Sequence, residues 1–364
     1  MITAALACGG GSGDTEDTEG GGPSGVGLTS TSTDGTAGTS SDTGASTGMG
    51  TDASGSGSDG TSGSGSAGST GVKFDIGMES TSGSTSDTEG EGEGCKKVDL
   101  LFVIDNSGSM EDEQVNLINS FPGFINQIQT QLADTEGYHV GITTTDAYIY
   151  NTAPCTTPGA LVTRTGGTNA SQMTCGPYFD GFSYMTESDD LATAFSCAGK
   201  VGTGGDGDET PMQTMQLALS DALNAPGACN AGFLRDDALL VIVVITDEED
   251  DHEVDACLQN PQQGSPGEPP GWYAGVVAAK GGIESNIVVL SLVGPPGPDP
   301  AVCPPLDKCS GGIIGAEVTT RIVQFTQMFT NGFVGRVCEA SYDGFFSQAV
   351  GVIQSACEGF MPPE

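Results

Sequence analysis

Three nearly continuous apolar runs stand out in the chain after residue 95. They cover residues 98–104, 238–245 and 287–293, and a weaker run covers 138–145. Runs of this length that are rich in Val and Ile, with little polar alternation, are typical of strands buried on both faces of a sheet. The pattern therefore predicts buried strands in a mostly parallel sheet.

Between these runs, apolar residues recur at every third or fourth position, which is the spacing of one face of an amphipathic helix. The segments that show it are 115–132, 212–223, 318–329 and 345–353. Buried strands that alternate with amphipathic helices indicate an α/β fold. We therefore predict one domain over residues 95–360, with a doubly wound, mostly parallel sheet and helices on both faces.

The first quarter of the chain has a different composition. Residues 9–94 consist almost wholly of Gly, Ser, Thr, Asp and Glu. Because they contain too few apolar residues to offset the entropy lost on ordering, we predict a disordered linker. About 85 residues of such a chain span roughly 50 Å on average. The linker would hold the following domain away from its anchor.

Residues 1–8 contain a short apolar stretch and a small residue before Cys8. This order resembles the end of a bacterial lipoprotein signal. The resemblance implies that Cys8 is lipidated and that the protein is exported to the cell envelope, as an outer-membrane or cell-surface lipoprotein. The alternative is an incidental cysteine in a frayed terminus. No apolar run reaches the length of a transmembrane helix, so membrane contact is expected only through the lipid.

Charge and cysteine content narrow the classes of function. The net charge is -38 with ten Lys and Arg in 364 residues, which argues against binding of nucleic acid or of anionic lipid head groups. The eleven cysteines contain no Cys-x-x-Cys pair and only two His are present, so a zinc site is disfavoured. Cysteines spread in this way predict disulfides in an oxidising compartment.

Two segments rich in Gly, Pro and Cys, at about 146–205 and 255–312, interrupt the α/β pattern. We interpret them as loop insertions stapled by disulfides. The candidate pairs are Cys155 with Cys175 and Cys303 with Cys309. Sequence alone leaves the connectivity open.

Oxygen-bearing side chains cluster where the apolar runs end. Asp105, Ser107 and Ser109 follow the first run, and Asp247 closes the run at 238–245. In open α/β sheets ligands bind at the carboxyl edge, and oxygen ligands suit Mg²⁺, Ca²⁺ or Mn²⁺. The sequence therefore predicts a divalent-cation site. A role for Ser109 as the N-cap of a capping box with Asp112 is the alternative for that residue.

These residues resemble the metal-ion-dependent adhesion site of von Willebrand factor type A domains. That signature is Asp-x-Ser-x-Ser after the first strand, a Thr from a later loop, and an Asp that closes a central strand. Asp105, Ser107, Ser109 and Asp247 match it, and the resemblance covers residues 98 to about 355 in order and spacing. In some relatives a disulfide joins the two ends of the domain, as Cys95 and Cys357 would here.

The later loop departs from the family pattern. Counting back from the following helix places Glu209 in the Thr position, with Thr210 one residue later. Either residue could complete the site. If Glu209 binds the ion, three carboxylates surround one divalent cation, which would weaken attraction for an acidic partner residue and favour Ca²⁺ or retained water.

The resemblance implies a non-catalytic binding module that is tethered to the cell surface and serves adhesion or interaction with a protein or glycan. In the family, an acidic residue of the partner binds at the open position of the metal ion. We expect a monomer. One alternative is a structural envelope protein whose metal only stabilises the fold. A metal-dependent hydrolase or phosphatase is a weaker alternative, because Ser107 stands where an aspartyl-phosphate enzyme has a second Asp, and His is scarce for a Ser-His pair.

Overall fold

The computed structural model describes residues 94–133, 135–207, 209–250, 264–294, 297, 303–304 and 315–363. The predicted lipidation site Cys8, the linker up to residue 93, Cys309 and part of the insertion at 255–312 lie outside the described residues. None of the helices that the structure describes is long and apolar enough to cross a membrane.

Strands and helices alternate along the described chain. The strands are β1 (Lys97–Ile104), β2 (Gly137–Thr144), β3 (Met185–Thr186), β4 (Leu239–Ile245), β5 (Ile287–Val293) and β6 (Gly332–Arg336). The helices are α1 (Glu111–Gln131), α2 (Leu191–Ala198), α3 (Pro211–Ala218), α4 (Asp221–Asn224), α5 (Pro269–Ala279), α6 (Arg321–Gln327) and α7 (Asp343–Glu358). The predicted α/β class is therefore confirmed.

The strands form one six-stranded sheet in the order β3-β2-β1-β4-β5-β6. Neighbouring strands run parallel, except that β3 is antiparallel to β2. β1 lies between β2 and β4, so Ile104 is paired with both Thr144 and Ile245 at the last position of each strand. Three loops consequently start side by side at the carboxyl edge of the sheet.

Two apolar clusters cover the two faces of the sheet. In β1, Leu100, Phe102 and Ile104 belong to the cluster that includes α1, α2 and α7 residues. Leu101 and Val103 point to the other side and pack with residues of α3, α5 and α6. The continuous apolar run was a sound indicator because every one of these positions is buried.

The helix boundaries differ from the spacing pattern in two places, while α1 continues through Pro122 as one helix. The segment 212–223 forms two helices, since α3 ends at Ala218 and α4 is a separate short turn. Val318 precedes α6 and is 54% exposed, so it is not part of a buried helix face.

The disulfides correct both pairings suggested within the insertions. Cys155 bonds Cys229 and Cys175 bonds Cys197, so a Cys155–Cys175 pair is wrong. Cys303 bonds Cys338, so a Cys303–Cys309 pair is also wrong. The first insertion is cross-linked internally by Cys175–Cys197 and is joined to a later segment by Cys155–Cys229. Cys303 of the second insertion is joined to a later segment by its bond to Cys338.

One side chain accounts for the pairing of the first insertion. Asn230 accepts a hydrogen bond from the Leu161 N–H and donates to the Gly159 carbonyl. These bonds bring residues 159–161 beside the segment that carries Cys229. At the ends of the domain, Cys95 and Cys357 form a disulfide with an S–S distance of 2.04 Å.

Candidate metal centre

The site begins where β1 passes into α1. Asp105 is fully buried, and its Oδ1 accepts a hydrogen bond of 2.7 Å from the Ser107 N–H. Its Oδ2 accepts a 2.6 Å hydrogen bond from the Thr246 hydroxyl at the end of β4. The carboxylate of Asp105 is therefore held by groups from two neighbouring strand ends.

The two serines lie together on this turn. Ser107 and Ser109 are both buried, and their hydroxyl oxygens are 3.3 Å apart. The N-cap of α1 is Met110, with no side-chain capping hydrogen bond. The capping-box interpretation of Ser109 is therefore wrong, because its hydroxyl faces the Ser107 hydroxyl and caps no helical N–H group.

Asp247 reaches the same place from β4. Its side chain is 1% exposed, and neither carboxylate oxygen has a hydrogen-bond partner. Burial dominates, followed by the charge of Asp105, and together they raise the pKa of Asp247 to about 7.

The loop before α3 contributes Glu209. This side chain is 1% exposed, and both of its carboxylate oxygens lack a hydrogen-bond partner. Burial and then the charge of Asp105 raise the pKa of Glu209 well above its ordinary value. Thr210 behaves differently, since its hydroxyl donates a 2.8 Å hydrogen bond to the Thr145 carbonyl. Of the two candidates, Glu209 is the one with unpartnered oxygens.

The electrostatic environment of the three carboxyls is negative. Burial also raises the pKa of Asp105, more than the hydrogen bonds from Thr246 and Ser107 lower it. The acidic neighbours that raise the pKa values of Asp105, Glu209 and Asp247 further include Asp146, Glu248 and Glu317. Buried carboxylates without partners are unfavourable, and a bound cation would reverse that penalty.

The oxygen atoms of these side chains suit a hard cation that binds neutral as well as charged oxygens. In the part of the chain that the structure describes, no group of three or more His, Cys, Asp or Glu side chains is spaced to hold a metal ion by itself. A divalent ion bound here would therefore require the hydroxyls of Ser107 and Ser109, or water, in addition to carboxylates. All of these ligands are oxygens, as Mg²⁺ and Ca²⁺ prefer.

Several residues at this edge carried no clear signal in the sequence. Thr246 binds Asp105, and the Thr145 hydroxyl donates to the Asn106 side-chain oxygen at 3.2 Å. Gln114 joins the Asp105 carbonyl to another loop. Single polar residues of these types occur throughout a surface, so only their placement identifies them.

Glu113 is a further buried carboxyl near the site. It lies in the first turn of α1, and its Oε2 has no hydrogen-bond partner. Burial, followed by the charge of Asp112 and a smaller effect of Asp247, raises the pKa of Glu113 to about 9. Without a bound cation, this raised pKa favours the protonated form of Glu113 at neutral pH.

Comparison with known proteins yields remote structural similarities. No protein-family model and no curated protein matches the chain. Proximal thread matrix protein 1 from the mussel byssus is 11% identical, with a TM-score of 0.37 over 71% of this chain and 49% of that chain. The pilus adhesin SpaC from Lactobacillus rhamnosus GG is 13% identical, with a TM-score of 0.37 over 73% of this chain and 31% of that chain.

The PilB minor pilin from Streptococcus sanguinis is 12% identical, with a TM-score of 0.36 over 73% of this chain and 63% of that chain. In each of the three, the matched region is less than two thirds of the other protein. At these TM-scores the similarity carries no argument about function, so the functional argument depends on the site itself.

Proposed function

We propose that residues 95–360 form a von Willebrand factor type A domain that binds a divalent cation and uses it to capture a protein or glycan at the cell surface. The observation that carries this proposal is the set of four buried carboxylate oxygens of Glu209 and Asp247 that have no hydrogen-bond partner. Native proteins rarely leave such atoms unpaired, and a missing ion is one of the recognised reasons.

The groups around the ion would be Asp105, Ser107, Ser109, Glu209 and Asp247, with water molecules between the ion and those carboxylates that do not reach it directly. The ion would supply positive charge to carboxylates that otherwise repel one another, and it would offer a coordination position to a partner. With three carboxylates and one divalent ion, the centre keeps a net negative charge. Ca²⁺ accepts more oxygen ligands and a looser geometry than Mg²⁺, so we propose Ca²⁺ as the preferred ion.

Replacing Glu209 by Thr tests the assignment of the third carboxylate. Glu209→Thr should weaken Ca²⁺ binding and shift the preference toward Mg²⁺, because it removes one anionic ligand and restores the family's neutral residue. Thr210→Val is the matched control, since the Thr210 hydroxyl already donates to a carbonyl. Calorimetric titration of the full chain with each ion measures both effects. Equal ion preferences in wild type and Glu209→Thr would contradict the role of Glu209.

Capture of a partner is the second expected outcome. Cell-surface extracts passed over immobilised full-length protein should lose specific components in Ca²⁺, and chelator should release them. The Asp247→Asn variant should retain none of them, because it lacks a ligand to the ion. Components that bind equally in chelator, or equally to the variant, would contradict metal-dependent capture.

One observation favours a second candidate, in which the ion only stabilises the fold. Glu209 and Asp247 are each 1% exposed, and Ser107 and Ser109 are 4% and 7% exposed. An ion bound among these buried groups would be almost inaccessible to a partner. In that case chelator would lower the melting temperature and leave partner capture unchanged, which separates the two candidates in one pair of measurements.

A further inference from the structure

The side-chain amide of Gln114 forms three hydrogen bonds to backbone groups. It lies in the first turns of α1 and is 2% exposed. Its Nε2 donates to the Asp105 carbonyl at 2.9 Å and to the Gly202 carbonyl at 2.8 Å. Its Oε1 accepts from the Gly202 N–H at 3.0 Å. The amide thus bridges the turn that holds Asp105 and a loop distant in sequence.

The bridged loop leads to Glu209. Past Gly202, the Gly205 N–H donates to the Asn106 carbonyl at 2.9 Å. A Cβ at Gly205 would lie 2.8 Å from the Asn106 carbonyl oxygen, so the two backbones can approach this closely because residue 205 is glycine. The loop is therefore attached to the Asp105 turn at two successive points before it reaches Glu209.

The start of this loop is also fixed from the other side. The Thr203 N–H donates to the Thr168 carbonyl at 2.8 Å, and the Ser171 N–H donates to the Lys200 carbonyl at 3.0 Å. The Tyr148 hydroxyl donates to the Val201 carbonyl. Gln114 consequently joins the disulfide-stapled insertion to α1 and to the backbone of Asp105 by hydrogen bonds.

We propose that Gln114 is a positioning residue of the metal centre, which sets the separation between Asp105 and the loop carrying Glu209. The inference rests on the proposed metal site. Asp105 and Glu209 come from different loops, so one ion can use both carboxylates only when the loops have the right spacing. The amide fixes that spacing before the ion arrives, so that binding need not order the loop.

Asn230 provides a matched control. It is also a fully buried amide that makes three hydrogen bonds to backbone groups of two segments: it accepts from the Leu161 N–H at 2.9 Å and donates to the Gly159 and Ala218 carbonyls at 2.8 and 3.2 Å. None of these bonds involves the loops of the metal centre. Loss of Asn230 should therefore affect the stability of the fold but not the affinity for the ion.

The test compares Gln114→Met with Asn230→Leu, two substitutions that keep side-chain size and remove the hydrogen bonds. Ca²⁺ affinity of the full chain is measured by calorimetry, and the free energy of unfolding by urea titration in chelator. We expect Gln114→Met to weaken Ca²⁺ binding about tenfold or more, in line with other residues that orient metal ligands. Asn230→Leu should leave the affinity unchanged while lowering stability.

Gln114→Asn is a second variant in case Gln114→Met does not fold. It keeps the amide, but its side chain is one methylene too short to bridge both loops. Unchanged Ca²⁺ affinity in a folded Gln114 variant would overturn this inference and leave the metal site intact. An equal loss of affinity in Asn230→Leu would also overturn it, since the effect would then follow stability. Absence of Ca²⁺ binding by the wild type would instead overturn the proposed function and this inference with it.

Discussion

Asp247→Asn should make the protein more stable than the wild type in chelator and less stable than the wild type in Ca²⁺. In chelator, the shift of the Asp247 pKa from 3.8 to about 7 corresponds to about 4 kcal/mol of destabilisation at neutral pH. The unpaired buried amide that replaces the carboxyl costs about 1–3 kcal/mol. We therefore expect a net gain of about 1–3 kcal/mol in the metal-free state.

In Ca²⁺ the order reverses. At a concentration 1,000 times the dissociation constant, an ion that binds only the folded state stabilises it by about 4 kcal/mol, which exceeds the gain of the variant in chelator. The variant lacks a ligand and should not receive this stabilisation. Urea titrations of both proteins, each with Ca²⁺ and with chelator, measure the four free energies of unfolding. If the ion stabilised both proteins equally, Asp247 would not be a ligand.

Asp247 should also make the stability of the metal-free protein depend on pH. Between pH 3.8 and about 7, the folded metal-free protein retains on Asp247 a proton that the unfolded chain has released. Stability in chelator therefore falls as pH rises through this window. Asp247→Asn should make that fall smaller. Ca²⁺ affinity should change in the opposite sense and rise with pH, because the ion requires the ionised carboxylate.

Removal of the Cys95–Cys357 disulfide is expected to produce the largest loss of stability. The two cysteines are separated by 262 residues in sequence, and the chain-entropy model gives about 5.5 kcal/mol for closing a loop of this size. Both side chains are buried, so the double variant Cys95→Ala, Cys357→Ala also loses packing. Urea unfolding under non-reducing conditions measures the difference from the wild type.

The matched control is the double variant Cys175→Ala, Cys197→Ala. Its cysteines are 22 residues apart, for which the same model gives about 3 kcal/mol. A loss at Cys95 and Cys357 no larger than in this control would contradict the entropic argument. Ca²⁺ affinity should be unaffected by removal of Cys95–Cys357, because Cys95 precedes the amino end of β1 and the site lies at the carboxyl end.

The part of the fold that sequence could predict consists of elements with a strong local signal. β1, β4 and β5 are buried on both faces, so their side chains are almost all apolar, with Asp99 and Ser291 as the buried polar exceptions. β6 is half-buried along its length and contains two glycines, and β3 has two residues. Neither strand carries enough apolar residues in a row to be recognised without its neighbours.

The residues of the candidate site also divide into those that a local sequence pattern identifies and those that it does not. Asp105, Ser107 and Ser109 lie within five consecutive residues after a strand, so their spacing was readable in the sequence. The choice between Glu209 and Thr210 depends on which side chain is already hydrogen-bonded, and sequence does not contain that information. The predicted pairings within the two insertions were wrong for a related reason, since pairing depends on which distant segments fold together.

The central position of β1 has a mechanical consequence. A pull exerted between Cys95 and a partner held at the carboxyl edge would act along the axis of β1. Eight residues of β1 are paired with β2 and seven with β4, all in parallel register. Tension along the strand therefore loads both rows of hydrogen bonds in shear, so that they share the force and do not open one after another. The Cys95–Cys357 bond passes part of that force directly to α7, which packs against α1.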